Sequence, residues 1–221
     1  AKPILFNTAE AAFLAGYAAA ATSKTGVVGT FGGIPIPPVT IFMDGFVDGV
    51  AYYNEVKGAN VKAIGWDKAS QTGAFTGGFA PGVEAKTAAQ NLLDQGADVI
   101  FPVGGPIYQS AAEAIREKGG DIALIGADAD VYETDPNVKD LLLTSVRKGV
   151  DAGVFDTIKA AVEGKFSNEP YVGTLENGGT GIASFHDWEA KVPEGLQAEV
   201  DELIKAIIAG EIKVESPATP H

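Results

Sequence analysis

The sequence predicts an α/β protein built around a doubly wound, mainly parallel β-sheet. Short apolar runs alternate with longer stretches in which apolar residues recur at helical spacing. The short runs are almost continuously apolar, as expected for strands that are buried on both faces of a sheet. Of the 221 residues, 46% are hydrophobic, which supplies a core and excludes a disordered chain. This length allows one large domain or two small ones.

The first 130 residues contain five predicted strands joined by four predicted helices. The strands are apolar runs at Ile4–Phe6, Val27–Phe31, Val61–Trp66, Asp98–Val103 and Ile122–Gly126. The helices are predicted from Asn7 or Thr8 to about Gly26, from Pro37-Pro38 through Val50, over Pro81–Asp94 and over Tyr108–Lys118. Strand and helix therefore alternate throughout this part, which favours right-handed crossovers in one sheet.

Beyond Asp130 this alternation becomes less regular. A strand at Leu141–Val146 precedes a helix at Gly149–Gly164, whose apolar residues form one stripe. The runs Tyr171–Leu175 and Thr180–Ser184 flank a turn-rich stretch and predict a β-hairpin. The last segments are predicted as a helix, an edge strand and a mobile tail, at Leu196–Ala209, Ile212–Val214 and Ser216–Pro220 respectively.

Composition and charge exclude several classes of function. The chain has 16 Lys and Arg against 29 Asp and Glu, a formal net charge of -13, which argues against a nucleic-acid partner and a membrane surface. Because there is no cysteine, disulfides, thiolate nucleophiles and cysteine-based metal sites are excluded. The two histidines, His186 and His221, argue against a metal site, and no G-x-S-x-G motif is present for His186 to serve. We predict no metal, no cofactor and no catalytic residue.

Ligands of open α/β sheets bind beyond the carboxyl ends of the strands, where loops and helix N-termini converge. This rule selects four segments, which combine glycines, aromatic residues and carboxylates: Phe31–Pro35, Trp66–Lys68, Gly104–Gln109 and Gly126–Asp130. The mixture suits a neutral, polar, flat ligand. The candidate ligand-binding residues in these segments are Gly33, Trp66, Gly104, Gly105, Tyr108 and Asp128.

Each candidate also has a structural interpretation. The two Gly-Gly pairs fit tight turns as well as close ligand approach, and neither matches a dinucleotide or nucleotide phosphate motif. Trp66 fits a core position as well as a stacking platform. Asp128 fits a helix N-cap, and Lys148 a solvent-facing residue. We interpret His186 as structural, Asp130 as a solvated loop residue, and the Gly178–Gly181 stretch as a turn rather than a phosphate loop.

Six strings, in order along almost the whole chain, resemble the basic membrane protein family of solute-binding lipoproteins, which serve ABC importers and include a purine nucleoside receptor. They are Glu10–Tyr17, Gly32–Phe46, Gln95–Phe101, Gly126–Asp130, Leu143–Lys148 and Tyr171–Gly179. The resemblance implies a type I periplasmic-binding-protein fold, in which two α/β lobes close over a ligand. It also implies an extracytoplasmic location, either periplasmic or membrane-anchored.

The resemblance implies a division of the chain into four parts. Residues 1–6 would cross between lobes, residues 7–144 would form the second lobe, residues 145–185 would be a remnant of the first lobe, and residues 186–221 would form a C-terminal helix and tail. The family's opening segment has no counterpart here, so we expect the apolar stripe of Gly149–Gly164 to be exposed or covered by a missing N-terminal lobe or a second chain. We also expect a leader or lipid-bearing cysteine to be absent from this sequence.

By resemblance, Asp128 accepts hydrogen bonds from ligand hydroxyls, Lys148 is a polar contact at the hinge side, and Gly104–Tyr108 is a glycine-rich ligand loop in which Tyr108 can stack. Pro35 stands where the family has a polar residue, so the ligand can differ. The preferred function is a receptor that binds a nucleoside or a related small polar aromatic ligand in a cleft between the lobes and partners the membrane subunits of an ABC importer. An α/β hydrolase or isomerase that uses Asp128 as acid or base is the alternative, and the effector domain of a transcriptional regulator is a third.

Overall fold

The computed structural model describes residues 1–220 of the chain, so His221 lies outside the described residues. The strands are β1 (Ile4–Phe6), β2 (Val27–Gly32), β3 (Lys62–Ile64), β4 (Trp66–Asp67), β5 (Thr72–Gly73), β6 (Val99–Val103), β7 (Ala123–Asp128), β8 (Leu142–Lys148), β9 (Tyr171–Gly173) and β10 (Thr180–Ile182). The helices are α1 (Thr8–Thr22), α2 (Pro37–Lys57), α3 (Val83–Asp94), α4 (Ile107–Lys118), α5 (Val131–Thr134), α6 (Val150–Val162) and α7 (Leu196–Ile208). Two 3₁₀-helices lie at Pro136–Leu141 and His186–Trp188.

Six of the strands form one sheet in the order β10-β8-β7-β6-β2-β3. All pairings are parallel except that of β10, which runs antiparallel to β8 at the edge. Successive residues of the central strands point to opposite faces, and both faces are covered by helices. The predicted α/β class with a doubly wound parallel sheet is therefore confirmed.

The first face is covered by α1, α2 and α7, which share one core with β2, β6, β7 and β8. Helix α1 is buried on nearly all sides because it lies between the sheet and α2. The two helices approach closely through glycines: a Cβ at Gly16, Gly45 or Gly49 would collide with a backbone carbonyl oxygen of the opposite helix. Glycine at these three positions is thus required by the interhelical distance, although it is unfavourable for helix formation.

The second face is covered by α3, α4 and α5. Their small and aliphatic side chains pack on Phe31, Ile100, Leu124 and Leu142, the strand residues that point away from α1. Helix α2 begins at Pro37 as predicted, since a proline in the first turn loses no intrahelical hydrogen bond. Because β2, β6, β7 and β8 run parallel between these two helix layers, their carboxyl ends all lie at one edge of the sheet.

Strand β1 does not join the six-stranded sheet, although the sequence pattern counted it with the others. It pairs in parallel with β9, and α6 packs on this pair through Gly153, next to Ile4 and Tyr171. The predicted hairpin at 171–184 is wrong for the same reason: β9 pairs with β1 and β10 pairs with β8. A turn does lie between the two strands, but long-range pairing separates them into different sheets.

The C-terminal segment also differs from the prediction. Residues 212–214 form no strand, and the segment after them lies against α2 instead of extending from the surface. Ser216 Oγ donates a hydrogen bond of 2.6 Å to the buried carboxylate of Asp44, and Lys68 Nζ donates one to the Glu215 carbonyl oxygen. These polar contacts hold the tail, which was expected to be mobile.

The predicted boundary between residues 144 and 145 falls inside β8, which continues to Lys148 in the six-stranded sheet. Strand β10, in the predicted 145–185 remnant, belongs to the same sheet. Within residues 145–185, α6 and β9 lie with β1 outside that sheet, and α7 packs on α1. The division into lobes stays a prediction, but these contacts show which segments belong together.

Candidate functional site

A cavity of about 350 Å³ lies at the carboxyl edge of the sheet, where the loops after β2, β6, β7 and β8 meet. Its wall is mainly apolar, with one acidic and one basic side chain. The lining residues are Ile36, Pro38, Val39, Phe42, Phe79, Val103, Gly104, Gly105, Asp128 and Lys148. Four of the seven predicted site residues, Gly104, Gly105, Asp128 and Lys148, are therefore brought together.

The two charged residues of the cavity form an ion pair. Lys148 Nζ lies 2.8 Å from Asp128 Oδ1, and the lysine also lies over the ring of Phe42, 4.8 Å from the ring centroid. The Lys148 side chain is 20% exposed, whereas the Asp128 side chain is 46% exposed. Lys148 is thus held within the wall, and the Asp128 carboxylate remains accessible to a ligand donor.

Asp128 ends β7 in the left-handed region, with φ of 72°. Aspartate tolerates this region better than most residues, and the conformation turns the chain from the sheet into the loop before α5. The alternative that Asp128 caps this helix is not what the structure shows, because the capping side chain is Asp130, which accepts from the Tyr132 N–H. Asp128 is free of that role and faces Lys148.

The glycine loop after β6 is shaped by an aromatic ring. Gly104 and Gly105 have φ values of 126° and 52°, and the Phe79 ring lies over Gly104 and Gly33. A Cβ at Gly104 would lie 2.6 Å from Phe79 Cδ1, and one at Gly33 would collide with the same ring. Both turn geometry and close packing therefore require glycine here. Gly33 supports the cavity through Phe79 rather than lining it.

The structure does not bring Tyr108 to the cavity. This residue lies in the first turn of α4, and its hydroxyl donates to Asp135 Oδ2 at 3.1 Å. Burial, followed by the hydrogen bond to Asp135, raises the pKa of Tyr108. Burial alone would also raise the pKa of Asp135, but hydrogen bonds from Asn137, Gln109 and Tyr108 outweigh it and lower that pKa. Tyr108 thus anchors a loop, and stacking on a ligand stays a prediction.

Trp66 also lies away from this cavity. Its side chain is buried, its ring meets Phe75 edge-on, and its indole N–H donates to Asp44 Oδ1 at 2.8 Å. Of the two interpretations given by the sequence, this environment corresponds to the core position. The ring fills the space between α2 and the short β4–β5 hairpin, so it cannot reach the cavity without breaking that packing.

Sequence reasoning missed the aromatic side chains of the cavity. Phe79 comes from the Gly-rich loop after β5, and Phe42 from the second turn of α2. Phe42 lies inside the helix predicted from Pro37-Pro38 through Val50 and was not singled out. Phe79 could have been singled out by its position in the string Gly77-Gly78-Phe79-Ala80-Pro81, since a large exposed aromatic residue is uncommon in such a loop.

A second cavity of about 420 Å³ adjoins the first and shares Pro38 and Lys148 with it. It is lined by β1, by the first residues of α1 and α2, and by Ala218 and Pro220 of the C-terminal segment. Its wall is mostly apolar. Lys148 therefore lies between two adjoining cavities, one formed by strand-end loops and one formed by the β1 region.

Within the described residues 1–220, we also looked for a metal site, a phosphate-binding loop and a membrane-spanning helix. These residues contain no group of three or more His, Asp or Glu side chains arranged to hold a metal ion. The Gly178–Gly181 stretch connects β9 to β10 with no helix after it, which fits the predicted turn. None of the helices in this part of the chain is long and apolar enough to cross a membrane.

Comparisons with known proteins agree with this architecture. Residues 3–217 match the profile of the family described as "ABC transporter substrate-binding protein PnrA-like". Basic membrane protein D of Borreliella burgdorferi is 34% identical over 160 residues, 72% of this chain and 42% of the relative. A lipoprotein of Pyrococcus horikoshii is 28% identical over 218 residues, 91% of this chain and 51% of the relative.

Among solved structures, an ABC transporter solute-binding protein from Aeropyrum pernix superposes with a TM-score of 0.77 at 29% identity. The superposition covers 97% of this chain and 66% of that protein. The chain thus spans about half the length of the curated relatives it matches. These matches confirm the resemblance found in the sequence and the periplasmic-binding-protein fold, and with the profile match over residues 3–217 they show that the chain belongs to the PnrA-like family of ABC transporter substrate-binding proteins.

Proposed function

We propose that this chain supplies one wall of the ligand cleft in an extracytoplasmic receptor of an ABC importer, and that the ligand is a nucleoside or a related neutral, flat, polar solute. The observation that carries the proposal is the Asp128–Lys148 pair in an otherwise apolar and aromatic cavity. A binding site of this kind typically combines a hydrophobic wall with a few convergent polar groups.

The charges of the cavity favour a neutral ligand. Asp128 and Lys148 compensate each other at 2.8 Å, so an anionic or a cationic ligand would meet no net opposite charge. A ribose hydroxyl can donate to the exposed carboxylate, and its oxygen can accept from the lysine ammonium. A planar base can pack against the apolar side formed by Phe42, Phe79 and Val39.

A receptor of this kind needs a second wall. The cavity is open at the sheet edge, and water would compete for Asp128 unless another part of the protein closed over the ligand. We propose that the opposite wall comes from a first lobe, supplied by further sequence of the same polypeptide or by a second chain. The two-stranded β1–β9 sheet with α6 would then belong to that lobe, beside the hinge.

The exposed apolar face of α6 supports this assignment. Val150, Phe155, Ile158 and Val162 have exposed fractions of 50%, 64%, 59% and 83% on a helix that should be amphipathic. A cluster of large apolar residues on one exposed helix indicates an interaction surface. In the proposed receptor this face packs on the remaining strands of the first lobe.

The enzyme alternative would need a second catalytic group beside Asp128. Lys148 is the ionisable partner in contact with it, and the pair could in principle transfer a proton. Capture and release without covalent change is the simpler use of the same pair, and it agrees with the lipoprotein relatives and the family to which the chain belongs. Those lipoproteins also support the extracytoplasmic location that we propose, either membrane-anchored or periplasmic.

The proposal is tested by calorimetric titration of the full-length gene product with inosine, adenosine, guanosine, riboflavin and ribose. We expect saturable binding of at least one nucleoside and recovery of the unchanged nucleoside from the complex. Release of free base or of an isomerised product would instead establish the enzyme alternative. Absence of binding to every nucleoside, together with tight binding of ribose or riboflavin, would contradict the ligand class.

A further inference from the structure

A polar cluster that the sequence did not indicate lies next to the site, beyond the end of β7. We call it the His186 clamp and define it as His186, Asp130, Tyr132 and Ser184. His186 Nε2 lies 3.0 Å from Asp130 Oδ2, and His186 Nδ1 lies 3.2 Å from Ser184 Oγ. The imidazole stacks on the Tyr132 ring, with 3.9 Å between centroids and 6° between planes. The interpretation of Asp130 as a solvated residue is therefore wrong.

The chemistry of the partners fixes the proton positions in the clamp. An ionised carboxylate only accepts hydrogen bonds, so Nε2 carries the proton that faces Asp130. In the neutral imidazole Nδ1 then accepts from the Ser184 hydroxyl. The His186 and Asp130 side chains are only 17% and 20% exposed, so this bond is shielded from water.

The clamp also connects two unusual backbone conformations. His186 has φ of 45°, and Asp128, two residues before Asp130, has φ of 72°. Aspartate and histidine tolerate the left-handed region better than most residues, but the conformation still costs free energy that contacts in the surrounding structure must offset. Asp130 supplies such a constraint, since Oδ1 caps α5 at the Tyr132 N–H while Oδ2 is held by His186.

The loop between Asp128 and Asp130 is short enough to transmit this constraint. The Ala129 N–H donates back to the Ala127 carbonyl oxygen at 3.0 Å, and the Val131 N–H donates to Ser145 Oγ at 3.1 Å. The chain is therefore fixed before and after Asp130. Because Val131 is held by Ser145, a shift of the Asp130 backbone would be passed to Ala129 and Asp128, the residues directly before it.

We propose that His186 is a positioning residue for Asp128: by holding Asp130, it keeps Asp128 in the left-handed conformation that directs its carboxylate to Lys148 and the cavity. The ligand part of this inference rests on the proposed function, whereas the conformational part does not. His186 itself is absent from the residues that line the cavity, so it acts through Asp130.

Two measurements on the full-length protein test the clamp. The first is the set of NMR backbone chemical shifts and couplings of Asp128, which report its φ angle without any ligand. The second is the calorimetric affinity for inosine. We compare the wild type with His186→Ala, His186→Gln and Asp130→Ser, and use Asp140→Asn, which changes an exposed side chain paired with Arg116, as the control.

The substitutions differ in what they preserve. In His186→Gln the amide nitrogen can still reach Asp130, so we expect the left-handed signature of Asp128 to persist and the affinity to stay within about twofold. His186→Ala removes the contact. Asp130→Ser keeps the helix cap but is too short to reach His186. Both should lose the Asp128 signature and bind inosine about tenfold more weakly, whereas Asp140→Asn should match the wild type.

A double-mutant cycle separates positioning from a general loss of structure. If His186 acts through Asp128, then His186→Ala should cause no further loss of affinity in an Asp128→Ala background. An equal tenfold loss in both backgrounds, or an Asp128 signature that survives in both His186→Ala and Asp130→Ser, would overturn the proposal. If the wild type binds no nucleoside, the proposed function fails, and the Asp128 NMR signature still decides the clamp.

Discussion

At the scale of single residues, the sequence identified the polar half of the site and missed the aromatic half. Asp128 ends an apolar strand and the glycines of the β6 loop follow another, and parallel strands bring such positions to one edge. Lys148 at the end of β8 was placed there by family resemblance. Phe79 could not be positioned in this way, because it lies far along a loop whose path depends on the β4–β5 hairpin.

Trp66 is the opposite case: the sequence selected it as a site residue, but its side chain packs in the core. It also stands near a strand end, yet its partner Asp44 lies on α2, and nothing in the local sequence indicates that contact. Whether an aromatic residue at a sheet edge points to a ligand or into the core depends on tertiary packing. A ligand-facing and a core-facing aromatic residue can have the same type and the same position after a strand, so the sequence alone does not distinguish them.

The first prediction concerns Gly104, where two physical effects coincide. Gly104→Ala would strain a backbone with φ of 126° and push a methyl group into the Phe79 ring. The left-handed backbone alone costs an L-residue about 1–2 kcal/mol. We expect Gly104→Ala to lower the free energy of unfolding by more than that, as measured by urea denaturation.

A Phe79→Ala background provides the control for this prediction. Without the ring, Gly104→Ala should show only the cost of the backbone conformation and should therefore destabilise the protein less than it does in the wild type. Equal destabilisation by Gly104→Ala in the two backgrounds would show that the Phe79 contact contributes nothing.

At the scale of elements, the apolar runs and helix signals predicted most of the strands and helices, because their burial is decided locally by periodicity. Pairing between elements was harder to predict. β1 and β9 are more than 160 residues apart, and only three residues of each take part. The turn between β9 and β10 suggested a local hairpin, but each strand pairs with a neighbour that the turn residues cannot specify.

The second prediction concerns the contact between α1 and α2. Gly45→Ala would improve the helix propensity of α2 by about 1 kcal/mol. The added Cβ would collide with the backbone of Ala9 on α1, and backbone atoms cannot move aside as a side chain can. We therefore expect a net loss of stability in urea denaturation, of about 1–3 kcal/mol by analogy with overpacked cores. A gain in stability would show that the two helices are not held so closely.

At the scale of the whole molecule, the six-stranded sheet and its helices bury their apolar residues against one another. The region formed by β1, β9 and α6 does not. The two faces of the six-stranded sheet are both covered. By contrast, α6 covers a sheet of only two strands and leaves its own apolar face exposed. The composition could predict an amphipathic helix here but not what covers it.

The third prediction follows from this exposed face. In the 221-residue chain alone, the amide hydrogens of α6 should exchange much faster than those of α4, because few buried contacts hold α6. In the full-length gene product, α6 should gain protection as the proposed first lobe covers it. Hydrogen exchange detected by mass spectrometry compares both proteins, with α4 as the internal standard. Equal exchange of α6 in the two proteins would contradict the two-lobe proposal.

The most direct test of the central claim is the affinity of the full-length protein for inosine, with and without the Asp128 carboxylate. Loss of a hydrogen bond to a charged group costs about 1.5–3 kcal/mol, which corresponds to an increase in Kd of roughly 10- to 140-fold for Asp128→Ala. Asp140→Asn should leave Kd unchanged. If Asp128→Ala binds inosine as tightly as the wild type does, the cavity beside Lys148 is not the nucleoside site.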